Sequence, residues 1–270
     1  MKRPTTAILD GDIIAYRSAF WADAEGVEDL PYRIKNDIGK WTPRDIDNVI
    51  VAMSCPRENN FRRDHWPLYK KHRDNFKKPD SMPYALEEIY EQSPRAVCVD
   101  RLEADDLIGM MVSSGKAIGV TVDKDLRQVP GWHWNPDKER EPTLLSRWKA
   151  DKFFFNQWMA GDSTDNIWGL WRVGPKKAEK FLDKVHKDWE DEEVEVAIDG
   201  IYTREWDETV WEKAVMNMYI EEDWDKRPEN RTPDSSREEY AIAQARCVRI
   251  LREGDYNEKS NEISLWSPYE

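Results

Sequence analysis

The sequence predicts an α/β fold in which helices cover both faces of a parallel sheet. Two observations carry this. Short β-prone runs alternate with helical stretches through the first half of the chain, and three of the runs end in an acid. The length of 270 residues allows one large domain, or a core domain with a smaller helical partner.

The β-prone runs are residues 7–10, 48–52, 96–100, 119–123 and 131–134, with helical stretches at 82–92 and 103–113. Parallel sheets bind ligands beyond the carboxyl ends of their strands. Asp10, Asp100 and Asp123 fall at such ends. A further helix is expected over 148–160. The segment 161–182 follows, with turn signals at Gly169 and Gly174 dividing two short helices, the second beginning at Lys176. The acid run 190–195 fits a solvated loop or helix edge. Residues 209–224 and 237–252 fit amphipathic helices around a polar linker at 225–236, and a short strand is expected over 262–266.

The composition supports packed structure. Charged residues reach 35%, but fourteen tryptophans are too many for a disordered chain. Cys55, Cys98 and Cys247 are scattered and form no CxxC pair, so reduced thiols are expected and a zinc site is not. The N-terminal run is broken by Asp10 and Asp12, unlike a secretion signal, and no apolar stretch approaches the ~18 residues of a membrane span. A cytoplasmic protein without a membrane partner is expected.

The net charge of −13 is unevenly placed. Residues 57–80 hold eight Lys/Arg against four acids, whereas 183–239 hold twenty acids against eight Lys/Arg. Local field decides whether a polyanion docks, so the overall charge does not exclude nucleic acid.

Four groups of acids stand out: Asp10 with Asp12, Glu103 with Asp105 and Asp106, Asp123 with Asp125, and Asp162 with Asp165. The i,i+3 steps of Glu103/Asp106 and Asp162/Asp165 place two carboxylates on one side of a helix start. Asp123 and Asp125, on an extended segment, point the same way. Clustered carboxylates repel one another unless cations sit among them. Mg²⁺ prefers such oxygen ligands, and two ions ~4 Å apart can activate water and stabilise the leaving oxygen of a phosphodiester. Each group alone also fits an ordinary role. Asp10–Asp12 could form a turn, Glu103–Asp106 could answer a helix dipole, Asp123–Asp125 could close a loop, and Asp162 could cap a helix.

The segments ILDGD (8–12), FRRDHWPLYKKHR (61–73), EADDLIG (103–109), TVDKDL (121–126) and GDSTDNIWGLWRVGPKKAEKFL (161–182) resemble the 5′→3′ exonuclease and flap endonuclease family, particularly its short phage members. The tail ILREGDYNEKSNEISLWSP is also similar to that of phage exonucleases. The resemblance implies a PIN-like, Rossmann-like twisted parallel sheet over residues 1–147, with a helical gateway near 57–92. It implies a helix-three-turn-helix DNA-binding subdomain within 148–270.

By that resemblance Asp10, Glu103, Asp105 and Asp106 would bind a first Mg²⁺, and Asp123, Asp125, Asp162 and Asp165 would complete a second, with Mn²⁺ able to substitute. K⁺ would sit at the helix-three-turn-helix. Lys70 and Arg73 match the gateway's YKxxR and would steer and polarise the scissile phosphate. The implied activity is hydrolysis of DNA with a free 5′ end or flap, and of RNA primers in RNA/DNA hybrids, during phage replication or recombination in an infected bacterium.

The residues themselves suggest how DNA would be held. Gly169, Gly174, Arg172, Lys176 and Lys177, with Lys180, offer turn amides and cations to phosphates; a plain helical hairpin is the alternative. Arg62, Arg63 and Lys71 would track a single strand while Phe61, Trp66, Tyr69 and Phe76 stack on its bases; an amphipathic hairpin is the alternative here. His65, His72, His133 and His186 lack metal spacing, and Ser18, Ser54 and Ser146 lack a nucleophile's setting.

One departure stands out. The family closes its second strand with a Phe-Asp pair, but here the strand reads VIVAMSCP, placing Ser54 or Cys55 there. Glu58 and Asp64 are candidate substitutes. Two other readings follow: a PIN-type ribonuclease, which would lack the 161–182 clamp, and a DNA-end-binding protein with weakened catalysis.

Overall fold

A computed structural model describes residues 2–93, 95–193 and 207–268, with the side chains of 189–193 outside that description. The side chains of the acid run 190–195 therefore lie outside the described residues. The chain divides into two compact units: Met1–Arg63, Arg73–Ser146 and Ile250–Ser264 form the first, and Asp64–His72, Arg147–Arg249 and Leu265–Glu270 the second.

In the first unit, β1 (Thr6–Asp10) pairs in parallel with β2 (Asn48–Met53) and with β4 (Ile118–Val120). Strand β3 (Ala96–Cys98) adds beyond β2, and β5 (Gly131–Trp134) beyond β4, both in parallel. The antiparallel β6 (Thr143–Leu145) closes the edge, so the described sheet runs β3-β2-β1-β4-β5-β6.

Alternation along the strands sorts two faces. Ala7, Leu9, Val51, Met53, Ile118 and Val120 share a core with α1 (Gly11–Glu25), α2 (Leu30–Lys40) and α4 (Met82–Gln92). Gly119, which alternates with Ile118 and Val120, instead meets Ile108 and Val112 of α5 (Ala104–Ser113). The expected α/β architecture with helices on both faces is present. A four-residue helix, α3 (Arg62–His65), precedes α4.

Several elements differ from expectation. β3 stops at Cys98 and β4 at Val120, so Asp100 and Asp123 sit in the turns beyond. A 3-10 helix, Lys124–Gln128, follows Asp123, so Asp123 and Asp125 do not lie on an extended strand. The expected strand over 262–266 shrinks to β8 (Glu262–Ile263), paired with β7 (Tyr256–Asn257).

The second unit is helical: α6 (Arg147–Ala160), α7 (Pro175–Glu193), α8 (Thr209–Ile220) and α9 (Arg237–Val248). Trp158, Trp211, Phe154, Phe155, Tyr219 and Tyr240 are buried at its centre. The polar ends of the two tryptophans are satisfied: Trp158 donates to the Ala241 carbonyl at 2.8 Å and Trp211 to that of Leu182 at 2.9 Å. Between α6 and α7 the first expected short helix is missing. The segment turns back on itself, with Asp162 and Ile167 exchanging backbone hydrogen bonds of 2.9 and 2.8 Å. Among the described residues no helix is long and apolar enough to cross a membrane.

Candidate metal and DNA site

Asp10 ends β1 and begins α1. One carboxylate oxygen accepts the Ile13 N–H at 3.2 Å, capping the helix, and the other accepts the Thr121 hydroxyl at 2.8 Å. Gly11 follows because a Cβ there would lie 2.3 Å from Met53 Sδ and 2.7 Å from the Ala52 carbonyl. Helix α1 thus starts hard against β2. Asp10 is buried, and burial, with Asp12 and then Asp123 nearby, pushes its pKa up to about 7.

Thr121 links two strands' worth of acids. Besides donating to Asp10, its hydroxyl accepts the Asp123 N–H at 3.0 Å. Asp123 in turn accepts the Asp125 N–H at 2.9 Å and caps the 3-10 helix.

Asp12, in the first turn of α1, accepts the Ser54 N–H at 3.2 Å. The Ser54 hydroxyl accepts the Ala104 N–H at 2.9 Å, at the start of α5. The residues at the family's second-strand position are therefore built into the scaffold. Burial, then the neighbouring Glu103, pushes the Cys55 thiol up to about 12, so it carries no charge at neutral pH. Glu58 is exposed on the 3-10 turn Arg57–Asn59, and Asp64 belongs to the second unit.

The acids at the start of α5 divide into two kinds. Glu103 and Asp105 are partly exposed. Asp106 is fully buried and accepts four donors: Arg62 Nη1 at 2.8 Å, Arg62 Nη2 at 2.6 Å, the Glu103 N–H at 3.0 Å and the Leu251 N–H at 3.2 Å. This corrects its expected role. A carboxylate sealed from solvent and filled by a guanidinium and two amides has no free face for a metal. Arg62 is corrected with it, because at 2% exposure it reaches no DNA.

The strap after α9 completes this wall. Beyond Leu251, the Ile250 N–H reaches the Gln128 side chain at 2.9 Å, and Arg252 donates to the Gln128 carbonyl at 2.6 Å. Neither interaction follows from the sequence pattern. The only sequence signal for the strap is the likeness of the tail to that of phage exonucleases.

Among the described residues no three His, Cys, Asp or Glu side chains close into a ready-made metal cage. The first unit's remaining candidate acids are Asp10, Asp12, Glu103, Asp105, Asp123 and Asp125. All are oxygen donors, and Asp10 among them is a buried carboxylate destabilised by Asp12 and then Asp123. That chemistry suits Mg²⁺ or Mn²⁺, which keep several waters and use few direct carboxylates.

In the second unit, Asp162 accepts the Thr164 N–H at 2.7 Å in a turn, not at a helix start. Lys70 Nζ lies 3.5 Å from the Asp165 carboxylate, and the Lys70 N–H donates to the Asp165 carbonyl at 2.9 Å. The Tyr69 hydroxyl donates to the same carboxylate at 3.4 Å. Trp66 and Asn166 fasten the two segments further, Trp66 Nε1 to the Asn166 carbonyl and Asn166 Nδ2 to that of Leu68, both at 2.9 Å.

The expected stacking surface is mostly absent, because Phe61, Trp66 and Tyr69 are buried and, of the four aromatics, only Phe76 is widely exposed. Arg63 pairs with Asp74 at 2.7 Å, Lys71 is exposed, and Arg73, in the first unit, is partly buried. Arg172, Gly174, Lys176 and Lys177 are exposed at and before the start of α7. Gly169 is not. It is buried, its φ is +61°, and a Cβ would fall 2.4 Å from the Gly161 nitrogen. Its N–H is not open to a ligand: it donates to Gln244 at 3.2 Å, and its carbonyl receives Tyr240 at 2.7 Å. Gly169 therefore shapes the turn and does not touch DNA.

Two curated relatives align along nearly the whole chain. The exodeoxyribonuclease of Enterobacteria phage T3 is 28% identical over 284 aligned residues, covering 97% of this chain and 92% of its own length. The exonuclease of Escherichia phage T7 is 27% identical, covering 97% and 93%. A solved complex of the bacteriophage T5 flap endonuclease with DNA and metal ions shares the fold at a TM-score of 0.54 and 15% identity, covering 90% of this chain and 88% of that one. The T5 5′-exonuclease with bound zinc does so at 0.52 and 15%, covering 90% and 89%. No family model matches the chain. The resemblance to phage-type 5′-nucleases read from the motifs thus extends over almost the full length.

Proposed function

We propose that this chain is a divalent-metal-dependent 5′→3′ exonuclease and flap endonuclease that hydrolyses phosphodiester bonds in DNA. The observation that carries the proposal is Asp10, a buried carboxylate beside Asp12 and Asp123 at the carboxyl end of a parallel sheet. Its cost is relieved by bound cations. The likeness to phage exonucleases supplies the reaction class.

Asp10, Glu103, Asp105, Asp123 and Asp125 are the proposed metal ligands, and the resemblance adds Asp162 and Asp165. Bound Mg²⁺, or Mn²⁺ in its place, would supply an activated water and charge stabilisation at the leaving oxygen. The chain's own groups hold and orient. Thr121 fixes the facing of Asp10 and Asp123. Lys70 and Arg73 steady the scissile phosphate, where a fixed cation favours the charge that develops in the transition state.

Helices α6 and α7 with their connection act as the helix-three-turn-helix, and K⁺ is proposed there by resemblance alone. Arg172, Lys176 and Lys177 grip phosphates without reading bases, so binding is sequence-neutral and salt-dependent. RNA primers annealed to DNA are proposed substrates on the same chemistry.

A second reading, a DNA-end-binding protein with weakened catalysis, is favoured by Ser54 and Cys55 at the second strand. Flap substrates labelled at the 5′ or the 3′ end decide between the two. With Mg²⁺ or Mn²⁺, short products carrying the 5′ label are expected; tight binding without products in either metal favours the second reading.

A further inference from the structure

The turn 168–171, just ahead of Arg172, has three backbone N–H groups and one carbonyl bound by side chains from far along the chain. Gln244 Oε1 accepts the N–H groups of Trp168 at 2.7 Å and Gly169 at 3.2 Å. The Gly169 carbonyl receives the Tyr240 hydroxyl at 2.7 Å and Arg227 Nη2 at 3.0 Å. Glu222 accepts the Trp171 N–H and is itself held by Arg227 and by Trp224 Nε1. The Leu170 N–H goes to the Met159 carbonyl at 2.9 Å.

Stability alone explains this poorly. Gln244 is fully buried, yet its Nε2 has no hydrogen-bond partner among the described residues. A buried amide using only its oxygen is uncommon, and such groups gather where a particular geometry is needed. Immediately after the held turn, Arg172 adopts a φ of +56° and is exposed, followed by the exposed Gly174, Lys176 and Lys177.

We propose that Glu222, Arg227, Tyr240 and Gln244 are positioning residues for DNA binding: they lock the turn 168–171 so that Arg172 and the start of α7 present a fixed phosphate-binding surface. It rests on the DNA-binding reading above. None of the four touches DNA.

The test compares Gln244→Met and Tyr240→Phe with the wild type for duplex binding without metal across a salt series, and for cleavage kinetics with Mg²⁺. Gln244→Met removes the acceptor at similar volume. Tyr240→Phe keeps the ring in the core and leaves Arg227 on Gly169, so it carries the test if the first variant fails to fold. The expected result is duplex binding weakened about tenfold in Gln244→Met and less in Tyr240→Phe. The salt slope should fall by ~0.9 for each phosphate that is no longer neutralised. KM should rise while kcat at saturating DNA holds. Variants that melt earlier yet keep the wild-type affinity and slope would overturn the proposal alone. A wild-type protein without salt-dependent duplex binding would overturn it together with the DNA-binding reading.

Discussion

The guanidinium of Arg62 grips the Asp106 carboxylate through hydrogen bonds of 2.8 and 2.6 Å, with both side chains sealed from solvent. The same guanidinium lies 3.3 Å from Glu103. The acid cluster therefore carries a built-in cation, which anchors the start of α5. Removing one partner leaves the other as an uncompensated buried charge. Arg62→Met is expected to destabilise the protein by about 3–5 kcal/mol, as seen when buried pairs are broken. Urea unfolding measures it, and a loss below ~1 kcal/mol would show that the pair carries little.

Asp10 makes stability depend on pH in a defined direction. Its folded pKa of about 7 lies above the ordinary 3.8, so between these values the folded state holds a proton that the unfolded state has released. Metal-free protein should be fully stable below that window and lose stability as pH rises through it. Divalent metal should restore the loss, and its affinity should fall as pH drops below about 7, where protons compete for Asp10. Thermal melts in EDTA and in Mg²⁺, at one pH on the acid side of the Asp10 pKa and one on the alkaline side, test this. Equal melting at both pH values in EDTA would contradict it.

Thr121 offers a finer probe. Thr121→Val removes the hydroxyl that joins Asp10 to the Asp123 N–H, whereas Thr121→Ser keeps it. The valine variant should lose ~1–3 kcal/mol of stability, because the Asp123 amide is left without its partner. It should also need more Mg²⁺ for half-maximal binding in calorimetry. Serine should restore both, and a serine variant as impaired as valine would place the effect in packing.

The two clamp glycines should separate. Gly169→Ala meets a positive φ and a backbone wall, so it should unfold the second unit or lower its melting temperature sharply. Gly174 has open space where a Cβ would go, so Gly174→Ala should keep the fold. Duplex binding by fluorescence anisotropy should weaken in the latter if its backbone approaches phosphate. An unaltered affinity would remove Gly174 from the interface.

Much of this is legible in the sequence where local chemistry decides structure. The β1, β2 and β5 runs, α4 and α6 follow directly from hydrophobic runs bounded by acids, glycine or proline. Asp10 stands out because strand ends in parallel sheets carry function, whereas Asp123 falls in the turn beyond β4. The rest needs distant partners. Asp10, Gly11 and Asp12 fit a turn as well as a helix start, and α1 is apolar on more than one side, so its period gives little contrast. Strand β6 has three residues, too few for any pattern. Arg62 looks like any surface cation until Asp106, forty-four positions later, and the Leu251 amide meet at one carboxylate. Phe61, Trp66 and Tyr69 alternate with cations in sequence, but tertiary packing turns them inward.

Acids at the carboxyl end of the sheet are proposed to bind the divalent metal with which DNA is cut from its 5′ end. The most direct measurement is release of short products from 5′-labelled duplex by the wild type and by Asp123→Asn, in Mg²⁺ and in EDTA. Metal-dependent release by the wild type, none in EDTA, and a loss of at least ~100-fold in Asp123→Asn with duplex binding intact are expected. Undiminished release by Asp123→Asn, or release that persists in EDTA, would contradict the proposal.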